Sequence, residues 1–290
     1  MSLQTKNIDS HNNLDADVVA GFGAEWERFD QASLNDGERD QIYADYFNIF
    51  PWDRLPEDAV GIDVGCGSGR WAKVTAKRVP RLVLMDASAQ ALGVARRNLA
   101  DADNVTFLEA SVGSIPCATG SLDFAYSLGV LHHVPDTRAA IGEIARVLKP
   151  GAPFLVYLYY AFDNQRMWYR LLWRISDIGR MVISALPHRP RHAICDVVAA
   201  LVYWPLAFIA RQVSRQGFRA EKWPLAYYRD KSFYCMRTDA LDRFGTRLEQ
   251  RFTRLEIRTL MERSGFQDIV FSDKAPFWCA VGYRSPDSRN

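Results

Sequence analysis

Gly61-Ile-Asp-Val-Gly-Cys-Gly-Ser-Gly-Arg-Trp71 is the stretch on which the fold turns. Val60–Val64 is a short apolar run that suits a buried strand. Gly65, Gly67 and Gly69 then permit a tight turn and close approach of a ligand to the backbone. Arg70 to Lys77 continues as a helix. A dinucleotide loop would read G-x-G-x-x-G, so that backbone amides hold a pyrophosphate. Here the third glycine comes one residue early, and Asp63 beside the turn would repel a phosphate. The loop suits a ligand with a positive end. Asp86 follows about 20 residues later, the spacing at which a carboxylate accepts ribose hydroxyls.

Outward from this loop the chain alternates strands and helices. Arg81–Met85, Val105–Leu108, Leu122–Ser127 and Phe154–Leu158 are predicted strands. Ser88–Leu99 and Thr137–Leu148 are predicted helices, the second stopped by Pro150-Gly151. Repeats of this length predict a parallel sheet with helices on both faces. Before the loop, residues 1 to about 20 are polar and expected to be loosely attached. Gly21–Phe29 is a compact aromatic segment, and Asp36–Phe50 is a predicted helix. Near the end, Thr253-x-x-Glu256 is a capping box opening a helix to Ser264. A closing hairpin is expected over Asp268–Ser272 and Phe277–Tyr283.

Composition narrows the classes. The 290 residues carry a net charge of +2, so the chain as a whole is no polyanion binder. Cys66, Cys117, Cys195, Cys235 and Cys279 are scattered and odd in number, which argues against zinc and a disulfide framework and for a reducing cytoplasm.

The stretches IDVGCGSGRWA (62–72), LVLMDAS (82–88), SLDFAYSLGVLHHVPD (121–136) and EIARVLKPGAPFLVYLY (143–159) resemble the core of class I methyltransferases with a methyltransferase 11-type domain. The resemblance implies a Rossmann-like, seven-stranded, mostly parallel sheet with an antiparallel last strand. It implies S-adenosyl-L-methionine as cofactor. Asp63, Gly65, Cys66 and Gly67 would hold its methionine part and Asp86 its ribose, with Ala87 against ribose or adenine. Ser111 stands where relatives often carry an acidic adenine contact, and Val112 would add its backbone. Ser127, Leu128 and His133 would line the floor beneath the methyl group. GFGAEWERF (21–29) resembles a strap over the cofactor, making Trp26 and Phe29 candidate contacts; core packing is their alternative. The resulting organisation is an N-terminal tail and strap (1–58), a cofactor-binding core (59–158), a helical cap or insertion (159–252), and a last helix with hairpin (253–290).

Methyl transfer needs alignment of a nucleophile, and a hydroxyl acceptor needs a base. His132 and His133 follow the fourth strand and are the candidate catalytic pair. One of them could instead be structural. Tyr159, Tyr160, Tyr228, Arg243 and Arg251 flank the insertion and are candidate acceptor contacts, with packing and ion-pair roles as the alternative. Between Tyr159 and Arg229 stand eleven basic residues against four acids. Arg166, Arg170 and Arg174 form one helical stripe, and Trp168, Leu171, Leu172, Ile175, Ile178 and Val182 supply the apolar side. Ile194–Ala210 is almost wholly apolar, interrupted by Pro205, and suits a buried or interfacial helix. Two readings of this region compete: a cap with solvated arginines, or a surface for an anionic membrane or lipid-linked acceptor. The expected function is methyl transfer to a small-molecule, glycan or lipid-linked acceptor, at oxygen or nitrogen. The alternatives are a nicotinamide-dependent oxidoreductase and a non-catalytic cofactor-binding adaptor. Nucleic acid is not an expected acceptor, because no Asn/Asp-Pro-Pro-Tyr type of motif is present.

Overall fold

The computed structural model describes residues 8–9, 12–31, 34–218 and 223–286. Arg219 and Lys222, counted among the basic residues above, lie outside them. The strands are β1 (Ile8–Asp9), β2 (Leu14–Asp15), β3 (Val60–Val64), β4 (Arg81–Asp86), β5 (Val105–Glu109), β6 (Phe124–Leu128), β7 (Pro153–Tyr157), β8 (Phe266–Phe271) and β9 (Cys279–Arg284). The helices of the first compact unit are α1 (Ala16–Arg28), α2 (Asp36–Phe47, whose first residues fall in the second unit), α3 (Ala72–Thr75), α4 (Ala89–Asn98) and α5 (Thr137–Val147). The second unit holds α6 (Met167–Ser184), α7 (His188–Val198), α8 (Trp204–Arg215) and α9 (Phe233–Gly245). The chain then returns to the first unit for α10 (Arg254–Arg263).

In the first unit, seven strands form one sheet in the order β5-β4-β3-β6-β7-β9-β8. The five from β3 to β7 pair in parallel, and β9 runs antiparallel to both β7 and β8. This is the seven-stranded, mostly parallel sheet that the sequence resemblance implied. Its central strands are buried on both faces: Ile62, Phe124, Phe154 and Val156 have no exposed surface. The strand order reverses between β3 and β6, so their carboxyl ends flank the crevice where such sheets bind ligands. Asp63 lies near the end of β3, and Ser127 and Leu128 close β6.

Several expectations need correction. The region before residue 20 is not loose throughout: β1 and β2 pair, and α1 already starts at Ala16. The Asp15 carboxylate caps that helix by accepting from the Asp17 and Val18 amides. Helix α2 stops at Phe47 rather than Phe50, because Phe50 precedes Pro51 and is pushed from the helical region. The helix after the glycine loop shrinks to one turn, Ala72–Thr75. The hairpin begins at Phe266, and a register shift between Gln267 and Val270 marks a bulge at Asp268 (φ 51°).

The capping box forms as predicted: Thr253 Oγ1 accepts from the Glu256 amide at 3.2 Å, and Glu256 Oε2 accepts from the Thr253 amide at 2.7 Å. Thr253→Ala should cost about 1 kcal/mol and lower the melting temperature by ~2–4 °C. Calorimetric melting measures it.

The second unit comprises Asn164–Arg247 with 34–38 and is shorter than the expected 159–252. Residues 159–163 and 248–252 stay with the sheet because they bond each other. Phe252 donates its amide to the Tyr159 carbonyl, and Ala161 donates to the Phe252 carbonyl. Among the described residues the insertion is helical, as expected. α7 and α8 run on through a wide π-helical segment, Ala199–Tyr203, so the apolar stretch is one helix of 28 residues, His188–Arg215. Pro205 sits in the first turn of α8 and bends the register upstream rather than breaking the helix.

Candidate active site

The glycine loop is shaped by its neighbours. Gly65, Gly67 and Gly69 have φ of 78°, 54° and 74°, a region costly for side chains. A Cβ on Gly65 would lie 2.5 Å from the Val130 methyls, and one on Gly67 would lie 2.8 Å from the Trp26 ring. The loop is therefore held between α1 and the turn after β6. The Gly65 and Cys66 amides both donate to the Met85 carbonyl.

Asp86 ties two turns together. Its Oδ2 accepts the Gly67 amide and its Oδ1 the Ser88 amide, each at 2.9 Å. Each oxygen keeps a second lone pair for a ribose hydroxyl. Burial raises its pKa, while those amides pull it back.

Asp63 is the unusual acid. It is 2% exposed, and burial pushes its pKa up to about 8, against the Tyr126 hydroxyl and Arg70 that lower it. The Asp86 charge adds to the rise. Its Oδ2 has no hydrogen-bond partner among the described residues. A buried carboxylate in this state is stabilised by a cationic donor. The α-ammonium of S-adenosylmethionine is such a donor, so the residues present fit that cofactor. Cys66 beside it is buried, and burial holds its thiol protonated, so it serves through its backbone.

Helix α1 carries the residues expected to form a strap. Trp26 lies over Gly67, with the Arg70 guanidinium 5.5 Å from its ring. Phe22, one turn earlier on the same face, packs on His133 at 4.9 Å. Phe29 does not join them: it follows the end of the helix and is 2% exposed in the interior. Phe22 and Trp26, spaced i, i+4, share one face of α1.

The other expected cofactor contacts have the following surroundings. The Ser111 hydroxyl donates to the Asn12 carbonyl and accepts from the Gly113 amide. Its proton is thus committed to the N-terminal segment. Val112 is in the core cluster. Ser127 is fully buried and donates to the Val64 carbonyl at 2.8 Å, joining β6 to β3 beneath the loop. Leu128 is buried and Ala87 half-buried.

The two histidines part company. His132 is fully buried and stacks on Tyr159 at 3.9 Å. Burial, then His133 and Arg251, drive its pKa well below the ordinary value, so it stays neutral. His133 Nδ1 is 2.6 Å from the Leu248 carbonyl. A carbonyl only accepts, so Nδ1 carries a proton, and in the neutral ring Nε2 carries the lone pair. Asn13 and Asp136 exchange a pair of hydrogen bonds that anchors the N-terminal segment beside this turn.

Residues 248–252 complete this edge of the first unit. Gln250 donates its amide to the His132 carbonyl and its side chain to Val134. Arg251 lies 5.0 Å over the Tyr159 ring, donates to the Tyr160 carbonyl, and pairs with Glu249 at 2.8 Å. Tyr159, Tyr160 and Arg251 are thus brought together. Glu249, whose side chain is almost fully buried, was missed because nothing in its local pattern marks an interior acid. Tyr228 and Arg243 belong to the second unit. There Tyr228 donates to Asp239 at 2.8 Å, and Arg243 lies over Trp173 and donates to Ser176.

Residues 62–156 match the family described as a methyltransferase domain. An O-methyltransferase of Pyrenophora dematioidea is 31% identical over 152 residues, covering 50% of this chain and 55% of that protein. A ubiquinone biosynthesis O-methyltransferase of Erwinia tasmaniensis is 26% identical over 185 residues, covering 61% of this chain and 73% of its own length. The chain thus spans little more than half of the fungal relative. The CurJ carbon methyltransferase structure superimposes with a TM-score of 0.50 at 11% identity, over 91% of this chain and 58% of that one, a likeness of fold. Together with the loop, Asp63 and Asp86, the match identifies residues 62–156 as a methyltransferase domain of the S-adenosylmethionine-dependent kind.

Proposed function

We propose that the protein methylates a hydroxyl oxygen of a small-molecule, glycan or lipid-linked acceptor. The bound cofactor supplies an electrophilic methyl carbon on a sulfonium. His133 is the observation that carries the reading. Its tautomer is set by the Leu248 carbonyl, so Nε2 is the nitrogen able to take a proton. Val130, in the same turn, packs against the loop at Gly65. Tyr159 and Arg251 stand beside the pair and form the candidate acceptor wall. An amine acceptor would need no base of this kind, and the two O-methyltransferase relatives agree with oxygen as the target. His132 acts as packing under Tyr159.

A panel of phenols, glycans and hydroxylated lipids with radiolabelled cofactor identifies the acceptor. With it, His133→Asn should lower kcat by about 10²–10⁴-fold. S-adenosylhomocysteine affinity should stay within about twofold, since the loop is untouched. Full turnover by the variant at every pH would reduce the mechanism to alignment alone.

A further inference from the structure

The second unit has a helix turned the wrong way round for a soluble protein. On α6 the two buried positions are polar or charged. Arg180 is buried, pairs with Asp177 at 2.6 Å and donates to the Thr246 carbonyl at 3.0 Å; Ser184 is buried beside it. The apolar face points outward instead. Trp168, Leu171, Leu172, Ile175, Ile178 and Val182 are each about half exposed or more, Val182 at 63%. They recur at three- and four-residue spacing, one continuous stripe. Arg166, Arg170 and Arg174 form a separate row on the same helix and are exposed.

The 28-residue α7–α8 helix repeats the arrangement. Cys195, Ala199, Tyr203 and Ala207 are buried, with Ala199, Tyr203 and Ala207 packed on Met236 and Ala240 of α9. Ile194, Val197, Leu201, Trp204 and Phe208 face outward, Leu201 at 72%. Exposed Arg189 and Arg215 stand near its two ends. The acids of these helices do not reach that surface as free charges: Asp177 pairs with Arg180 and Asp196 with Arg237. The outward surface of α6–α8 is therefore apolar and cationic.

That combination selects an occupant. A two-fold contact with a second copy would set the arginine row against itself, with both acids of these helices already paired to other arginines. A membrane span is excluded by construction, although His188–Arg215 is long and apolar enough to cross one. One side of it is built into the unit and carries the Asp196–Arg237 ion pair. An anionic leaflet matches both features, taking the apolar stripes at acyl depth and the arginines at phosphate level. Tryptophans at 168 and 204 suit the interface between them.

We propose that the second unit is a monotopic membrane-docking module, which lays the outward faces of α6 and α7–α8 into an anionic bilayer surface. This holds whatever the acceptor proves to be.

The test uses the full chain and vesicle flotation. Phosphatidylcholine vesicles with about 30% phosphatidylglycerol should bind at low salt, and pure phosphatidylcholine vesicles at least ~10-fold more weakly. Binding should fall about tenfold between ~0.1 M and ~0.5 M salt. Tryptophan emission should shift to the blue on binding. Leu171→Asp with Ile175→Asp should abolish flotation, and Arg166→Gln with Arg170→Gln and Arg174→Gln should remove the preference for anionic lipid. Both sets change exposed side chains, so S-adenosylhomocysteine binding and melting should be retained and confirm folding. Absence of flotation at low salt would overturn the proposal. So would binding indifferent to both variant sets, or self-association in ultracentrifugation that Leu171→Asp with Ile175→Asp abolishes while no vesicle is bound.

Discussion

Asp63→Asn should weaken S-adenosylhomocysteine binding by about 100-fold or more, because it removes the charge opposite the ligand's ammonium and leaves that cation poorly answered in a buried site (~3–5 kcal/mol). The same substitution should stabilise the ligand-free protein near neutral pH. The folded pKa of Asp63 is raised to about 8 from an ordinary value of 3.8. The folded state therefore holds the proton more tightly than the unfolded one. Its stability is fully present below the unfolded pKa and is lost as pH climbs toward the folded one. Asparagine has no such loss. The difference in melting temperature between variant and wild type should be small near pH 4 and grow up to about pH 8. Cofactor binding should pull a proton off Asp63. Calorimetric titrations in buffers of different ionisation enthalpy, between about pH 5.5 and about pH 7.5, should show release approaching one proton. No release, with unchanged affinity in the variant, would remove Asp63 from the site.

Gly65→Ala should do comparable damage by sterics alone. The left-handed backbone at φ 78° costs about 1–2 kcal/mol with any side chain. The added methyl would also meet the Val130 methyls at 2.5 Å. Relief of that clash moves either the cofactor loop or the turn leading to His133. Affinity and turnover should therefore fall together, by about 10²-fold for a displacement near 1 Å. A second change, Val130→Ala, separates the two causes. It should restore part of the affinity, while the backbone strain persists in the melting temperature. Wild-type affinity in Gly65→Ala alone would mean that the loop has more room than this packing allows.

The cofactor side was readable because its chemistry is local. Three glycines, an acid before them and an acid about 20 residues later are set by chain spacing alone, and β3 and β4 place them as spaced. Contacts made between distant segments were harder. Ser111 gives its hydroxyl to Asn12, some hundred residues away in sequence, and no local pattern announces that. Phe29 was grouped with Trp26 because composition shows aromatics but not where a helix ends. The histidines were legible as a pair, yet their division was not: only the Leu248 carbonyl tells which ring nitrogen of His133 carries the bonded proton. The apolar stripe of α6 was visible as periodicity. Its direction was not, since periodicity marks a face without saying what lies on either side.

The wide turn at Ala199–Tyr203 has a consequence for timing along the helix. Buried positions at 195, 199, 203 and 207 recur every four residues, whereas an ordinary α-helix repeats every 3.6. Left uncorrected, that mismatch would carry each successive buried residue around the cylinder until Ala207 faced away from its partners. The π turn takes up the surplus in one place, like a leap day that returns a drifting calendar to the season. Cys195 and Ala207 can thus keep the same side, and the outward row from Ile194 to Phe208 stays in step across the proline.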